Sequence, residues 1–434
     1  MEVLLTTAVI LGFMALLLVF GVWIGTALFM TGAFGFMVYL GLPWERIMAN
    51  IAWNSSSGST MLALPLFVLM GEILFRSKIS ENLFEGLAPW MDRIPGRLVH
   101  VNVVASTIFA AVSGSSAATT ATVGKITLPE LLKRGYDEGI SIGSLAGSGT
   151  LGFMIPPSMM MMVYGMLADV SIGKLFIAGI IPGLIIASLF SAYIALMALR
   201  NPHLAPGGDS AFTWRDRFKA IPLIAPTVVL VVAVLGSIYT GWATPTEAAA
   251  VGVIGSLAFA MVTRSLSLRV LKEALMGTVK TSCMIMWIVC GAAFFSVSVG
   301  YLGIPQELAS FIVGLGLSKY TLVAILTVFY LILGCLLDGF SMIVMSLPIT
   351  LPLVKASGFD PLWFGIYLVI MIQLAQITPP VGFNLFVIRG LTNKELPEIA
   401  WHALPFFLLM LVATALITVF PGLVLFLPSM MSGR

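Results

Sequence analysis

The sequence predicts an all-α polytopic membrane protein made of two inverted-topology repeats with re-entrant helical hairpins and broken helices. Three observations carry that reading. Of 434 residues, 59% are hydrophobic and 9% charged, with a mean hydropathy of +1.07; soluble domains carry roughly a quarter charged residues. Most windows outside the loops are apolar over about 20 residues, enough for a helix to cross a bilayer. Third, the chain matches itself about 223 positions on: Ile126-Thr127-Leu128-Pro129 returns as Ile349-Thr350-Leu351-Pro352, Pro156-Pro157 as Pro379-Pro380, and Pro182 as Pro405. Gly135 with Asp137, Arg46 and Gly32 return in the same register as Gly358 with Asp360, Arg269 and Gly255. Prolines and glycines that shape backbone, repeated in one register, argue for two related halves.

The elements follow in order. The first half opens with spans near 3–20 and 23–42, an interfacial stretch near 44–57, a span at 60–76 and a second interfacial stretch at 79–94. Met1-Glu2 runs directly into apolar sequence without a basic leader or cleavage motif, so the first span is read as retained. Two short segments follow, 97–112 and 117–132, separated by Ser113-Gly114-Ser115-Ser116. A span near 139–166 is broken between Gly147 and Pro157, and another runs 174–199. After a polar linker at 200–219 the order repeats: 220–240, 244–263, an interfacial stretch 266–280, 282–302, a short stretch 305–315, paired segments 318–335 and 340–354, a broken span 362–389 and a final span 397–427. Thr244-Pro245-Thr246-Glu247 has the form of a helix start.

Each paired segment has about 16 residues, shorter than a normal span. Read as re-entrant hairpins, they leave five crossings per half, and an odd number inverts the second half. Basic residues test this. Sixteen fall on one side (among them Arg76, Lys78, Arg93, Lys133, Arg217, Arg264 and Lys394) against five on the other (Arg46, Lys174, Lys319, Lys355 and Arg434), with Lys125 inside a hairpin. The basic side is expected to be cytoplasmic and both termini periplasmic. With a net charge of +3 and its basic residues in loops rather than one patch, the chain carries no nucleic-acid surface.

Unwound backbone at membrane depth survives only where it is buried in protein or lines a polar cavity. Four such places stand out: the tip at Ser113–Ser116 followed by Thr119, Thr120 and Thr122; the tip at Gly334–Ser341 with Asp338; the break through Gly149, Thr150 and Ile155-Pro156-Pro157-Ser158; and the break through Gln373, Gln376, Thr378-Pro379-Pro380, Gly382 and Asn384. Prolines lack an N–H, so the carbonyls of Gly152, Phe153, Ala375 and Gln376 lose helical partners. Freed carbonyls beside hydroxyls suit a hard cation such as Na⁺, and restarting helices point N-terminal dipoles inward, which favours an anion. Together they describe a sodium-coupled anion carrier. Plainer readings stand beside this one. Thr119, Thr120 and Thr122 would bond back to their own helix. Asp338 would cap the second hairpin arm, although an intramembrane acid is a functional candidate by default. Glu72 would pair with Arg76, Met159–Met162 would pack, and Cys283, Cys290 and Cys335 would be packed thiols. His100, His203 and His402 suggest no catalytic constellation. An enzyme would need clustered His, Cys or acids at depth, and a channel a continuous polar stripe; neither pattern is present.

At these residues the chain resembles the large membrane subunit of TRAP transporters, the DctM-like family. The motifs are Ala110-Ala111-Val112-Ser113-Gly114-Ser115-Ser116-Ala117-Ala118-Thr119, Ile155-Pro156-Pro157-Ser158, Lys174-Leu175-Phe176-Ile177-Ala178-Gly179, Thr244-Pro245-Thr246-Glu247-Ala248-Ala249-Ala250 and Thr378-Pro379-Pro380-Val381-Gly382. The resemblance implies an elevator-type transporter of the bacterial inner membrane, importing a small organic anion on a sodium gradient. It implies two partners, a separate small DctQ-like membrane subunit and a periplasmic DctP-like binding protein. Residues 1–95 and 220–316 would form a scaffold braced by 44–57 and 266–280, residues 96–199 and 317–434 the transport parts, and 200–219 a cytoplasmic linker. Two or more Na⁺ are expected. One would lie among Ser113, Gly114, Ser115, Gly149, Thr150 and Pro156, another among Gly334, Asp338, Gln376, Thr378 and Pro379. The substrate would lie between the tips, near Ser115, Ser116, Thr119, Ser158, Thr378 and Asn384. The competing reading is a standalone sodium–organic anion symporter. No arginine is evident near the cavity, so substrate identity stays open among carboxylates, sulfonates and polyol-like ligands.

Overall fold

The computed structural model describes residues 2–77, 79–206, 212–314, 318–392 and 394–431. Lys78 and Arg434 from the charge comparison, part of the linker (207–211) and the end of the 305–315 stretch lie outside the described residues. Among the described residues all regular structure is helical. The first half comprises α1 (Glu2–Val19), α2 (Ile24–Gly35, continued by a π turn at Phe36–Leu40), α3 (Trp44–Ser57), α4 (Ala63–Phe75), α5 (Ile79–Met91), α6 (Val99–Ser113), α7 (Ser116–Lys133), α8 (Glu138–Gly149), α9 (Met159–Ala168) and α10 (Ile172–Arg200). The second comprises α11 (Trp214–Tyr239), α12 (Pro245–Val262), α13 (Leu268–Tyr301), α14 (Ile304–Gly314), α15 (Lys319–Gly334), α16 (Gly339–Ala356), α17 (Pro361–Gln376), α18 (Phe383–Leu391), α19 (Leu396–Val419) and α20 (Gly422–Met431). Helices α7 and α16 begin and end 223 positions apart, as do the starts of α8 and α17.

Short polar residues set many of the starts. Ser115, Asp137, Ser158, Ser171, Asp338 and Asp360 each accept a backbone N–H of the helix they open. Thr244 with Glu247, and Thr213 with Asp216, form reciprocal capping boxes.

Three expectations need correcting. The stretch 266–280 and the span 282–302 are one 34-residue helix, α13. The first half breaks at the matching place because Ser55-Ser56-Ser57-Gly58 ends α3, with Gly58 extended (ψ 134°); in α13 that stretch, from Thr278 to Ser282, continues helical. The final span 397–427 is two helices, because Pro421 removes an N–H and Phe420 before it turns extended (φ −120°). The second hairpin arms, α7 and α16, are 18 residues each, longer than their spacing suggested. Length alone therefore does not make them re-entrant: among the described residues α16 is one of six helices long and apolar enough to cross a membrane, with α10, α11, α12, α13 and α19.

Packing links the helices in a continuous network, in which α4 and α5 also lie on α6 and α14 on α16. Helices α2, α3 and α4 lie on α13, α4 on α12 and α5 on α11; α8 packs between α6, α7 and α19, α18 on α7, and α17 beside α15, α16 and α10. Charged contacts join α8 to the start of α19, where Lys394 meets Glu138 at 3.1 Å and Glu398 at 2.8 Å. Those two carboxylates raise the Lys394 ammonium above its ordinary value, Glu398 contributing more. Glu72 pairs with Arg76 as expected, and Arg76 reaches Glu273 of α13 at 3.9 Å. Exposed ion pairs of this kind contribute little individually.

Candidate substrate and ion site

The first tip is built by a left-handed turn. Gly114 (φ 59°) ends α6, returning its N–H to the Ala110 carbonyl at 3.0 Å, and Ser115 begins α7 in extended backbone. The absence of a side chain at Gly114 also lets the tip lie on the first break, since a Cβ there would sit 2.8 Å from the Pro157 carbonyl oxygen. From the opposite side Gly152 does the same: a Cβ on it would meet the Ser115 carbonyl at 2.5 Å and the Ser116 nitrogen at 2.8 Å. Tip and break are thus interlocked by two glycines. Both Pro-Pro bonds, Pro156-Pro157 and Pro379-Pro380, are cis.

The hydroxyls around this junction are largely engaged. Ser113 and Thr119 hydroxyls lie 2.9 Å apart, and Thr119 donates to the Ser115 carbonyl at 2.7 Å. Ser158 donates to the Phe153 carbonyl at 2.5 Å, so one carbonyl expected to be freed by proline is engaged by a hydroxyl. Thr150 donates to the Gly147 carbonyl at 2.7 Å. Thr119 back-bonds along its helix as expected, but Thr120 and Thr122 do not: their buried hydroxyl oxygens have no hydrogen-bond partner. The Thr120 hydroxyl lies directly over Gly149.

Two hydrogen bonds join the halves here. Ser116 donates to the Asn384 side-chain oxygen at 2.9 Å, and Gln373 donates its amide N–H to the Thr150 carbonyl at 3.1 Å. Thr150 and Gln373 are 223 positions apart, the offset of the sequence matches. Each bond leaves a buried amide atom without a partner, Asn384 Nδ2 in one and Gln373 Oε1 in the other. Buried polar atoms are nearly always paired with protein, water or a bound ion, and these two keep that capacity free. Hydroxyl and carbonyl oxygens are the donor set that hard cations prefer, so this junction fits Na⁺ chemically.

The second tip differs. Asp338 caps α16, accepting from Phe340 N at 3.2 Å and from the Ser341 hydroxyl. The capping reading of Asp338 therefore holds; half-exposed, its carboxylate still has lone pairs left for a cation. Gly334 lies against Ala375 of α17. Thr378 donates to the Leu374 carbonyl at 2.7 Å, and Pro379 is exposed. Gln376 is buried and still helical, as is Gln373, so the second break begins only at Ile377. Of the proposed substrate contacts, Ser116 and Asn384 are brought together; Ser158 is buried and committed to capping α9; the Thr378 hydroxyl is bonded back to its own helix. Spacing alone did not mark Thr120 or Gln373 as site residues. The repeat offset carried the signal for Gln373, because its equivalent is Thr150.

Two adjoining cavities, of about 290 and 400 Å³, share Met166, Leu167 and Ala293. The first is walled by α9, α13 and α16, the second by the ends of α3 and α9 and the starts of α10 and α12.

Apolar helices interrupted at Pro-Pro breaks, with oxygen-rich junctions between the broken ends, are the equipment of a membrane transporter. The chain belongs to the family described as the DctM component of the tripartite ATP-independent periplasmic transporters, which matches residues 11–423. It is 34% identical over 386 residues to the C4-dicarboxylate TRAP transporter large permease protein DctM of Pseudomonas aeruginosa, covering 88% of this chain and 90% of that one. It is 32% identical to the isethionate TRAP transporter permease protein DctMQ of Oleidesulfovibrio alaskensis, covering 96% of this chain and 66% of that longer protein. Its fold is similar to the crystal structure of the Alcanivorax borkumensis YdaH transporter, with a TM-score of 0.64 over 87% of this chain and 88% of that one at 14% identity. The family consists of transporter permeases, not enzymes.

Proposed function

We propose that the chain is the large permease of a sodium-driven, binding-protein-dependent transporter that imports a small organic anion by an elevator movement. The observation that carries this is the half-satisfied polar junction where the first tip and first break meet α17 and α18. In this reading Na⁺ sits among Ser113–Ser115 and Gly149–Pro156, and a second ion among Gly334, Asp338 and Gln376–Pro379. The anion lies between the tips, reached by Ser116 and Asn384. The halves are inverted repeats in an inner membrane with both termini periplasmic. Helices α6–α10 and α15–α20 move as a body against the rest, a reading that the cavities along α13 support. A small membrane subunit and a periplasmic binding protein complete the assembly. Relatives named for a C4-dicarboxylate and for isethionate support carboxylates and sulfonates as the substrate class. Each net charge moved down the membrane potential contributes roughly 2.3 kcal/mol per 100 mV, so two Na⁺ with a monoanion make uptake voltage-driven.

Proteoliposomes holding this chain and its small subunit test the reading. A labelled C4-dicarboxylate or isethionate should accumulate only with an inward Na⁺ gradient and a purified binding protein. Uptake that ignores sodium would refute the coupling. Full uptake without a binding protein would favour the standalone symporter.

A further inference from the structure

We propose that the groove between α5 and α11 is a binding site for an anionic phospholipid, with its acyl chain along the groove and its phosphate on Arg93 and Arg217. The groove has a volume of about 490 Å³ and an entirely apolar wall, including Leu87, Trp90, Met91, Ile221, Ile224 and Val228. It lies on the face that α11 leaves open: only 22% of the most apolar stretch of that helix is buried within the chain. At one end the chemistry changes abruptly. The Arg217 and Arg93 guanidiniums both stack on the Trp214 ring, at 4.8 and 5.7 Å from its centroid.

Arg217 is 5% exposed, yet among the described residues it pairs with no acid. Its Nε donates to the Pro89 carbonyl at 3.0 Å, which leaves its terminal nitrogens without a hydrogen-bond partner among the described residues. The neighbouring acids are engaged elsewhere: Asp92 pairs with Arg97 at 3.8 Å, and Asp216 accepts from the Thr213 backbone and hydroxyl. Two like charges on one indole repel, and an anion between them relieves that repulsion. A phosphodiester matches the guanidinium fork. Arg217, Ile221, Ile224 and Val228 follow one face of α11 at helical spacing, so the polar end and the apolar groove form a continuous strip. An amphiphile with one anionic end fits that strip, and basic pockets between membrane helices recognise such head groups. A helix of a partner protein would need an acid at one end only, and nothing in the groove's uniform wall selects side chains.

The test uses the full chain purified with its small subunit and delipidated, followed by thermal unfolding in mixed micelles. Phosphatidylglycerol should raise the unfolding temperature at mole fractions where phosphatidylcholine and inorganic phosphate do nothing. Arg93→Gln, at an exposed position, should raise the phosphatidylglycerol fraction needed for half the effect about fivefold. Ala225→Phe fills the groove with the charges intact and should also weaken the response; Arg217 is left in place because its loss exposes a buried carbonyl. Equal responses to both lipids, indifference to both variants, or full stabilisation by inorganic phosphate alone would each overturn the proposal. So would an Ala225→Phe protein that sheds its small subunit while responding normally to phosphatidylglycerol, which would make the groove a protein-docking surface.

Discussion

The segment joining α8 to α9 is sealed inside the protein, whereas the segment joining α17 to α18 stands open. Every residue from 141 to 165 is buried, prolines included, and the first tip lies on the break through Gly114 and Gly152. In the second half Pro379, Pro380, Val381 and Phe383 are exposed, and the apex of the second tip carries Leu336 at 66% exposure. Both segments begin from the same Pro-Pro pair in the same register. The proline chemistry is common to the two; the neighbours differ. A break locked by close backbone contact is preorganised, while one with exposed apolar residues is free to close over something. Under the proposed function the first junction is a standing cation and substrate seat, and the second tip is the element that sodium and ligand order.

The largest test strikes the lock itself. Gly152→Val would drive two methyl groups into the Ser115–Ser116 peptide, which is backbone and has nowhere to retreat. Overpacking of this kind costs about 1–3 kcal/mol or more, so a fall of several degrees in unfolding temperature and near-background uptake are expected. A Gly152→Val protein that transports normally would show that tip and break separate in the working cycle.

The open and sealed junctions were not equally legible in the sequence. Glycines, prolines and capping residues act over four or five positions, so Gly114, Pro156-Pro157, Thr244 and Pro379-Pro380 leave local signals, and helix order and both breaks follow from them; Pro421 leaves one too, although the expected final span runs through it. Contacts between segments leave none. That Asn384 meets Ser116 across 268 residues, or that Thr120 turns its hydroxyl onto Gly149 instead of its own helix, depends on how α7, α8 and α18 pack. The continuity of α13 escaped for the opposite reason: an amphipathic start and an apolar end look like two elements unless a breaker between them is demanded. The exposure of the second break had no signal at all, because Thr378-Pro379-Pro380 reads like its buried counterpart.

Charge and hydrogen bonding separate the two junctions next. Asp338→Asn keeps the cap of α16, since Asn and Asp cap about equally well, and removes only the charge. Half-maximal sodium for uptake should rise tenfold or more, on the order of what a charge-assisted contact contributes, while the unfolding temperature and substrate half-saturation stay close to wild type. Unchanged sodium dependence in proteoliposomes would count against an ion at the second tip. Gln373→Leu acts on the sealed side: it leaves the buried Thr150 carbonyl without its side-chain donor. A buried acceptor so orphaned costs about 1–3 kcal/mol. Stability and sodium affinity should therefore fall together, the opposite of the Asp338→Asn pattern; if sodium affinity drops with stability intact, Gln373 touches the ion instead of supporting its seat.

The smallest expected effect sharpens the contrast most. Val381 is 38% exposed and follows two exposed prolines, so Val381→Ser should change folding stability by about 0.5 kcal/mol or less, as surface substitutions usually do. The same exchange at Val163 of α9, fully buried, should cost several times more, because it replaces packed methyls with a hydroxyl that must find a partner. Both variants can be compared by thermal unfolding with and without sodium. If the Val381→Ser protein loses the stabilisation that sodium confers, while its unfolding temperature without sodium is unchanged, the open segment closes when the ion binds. Sodium stabilisation equal to wild type would mean that the second break stays open in the loaded state, and the ordering role assigned to it would have to move to the hairpin tip alone.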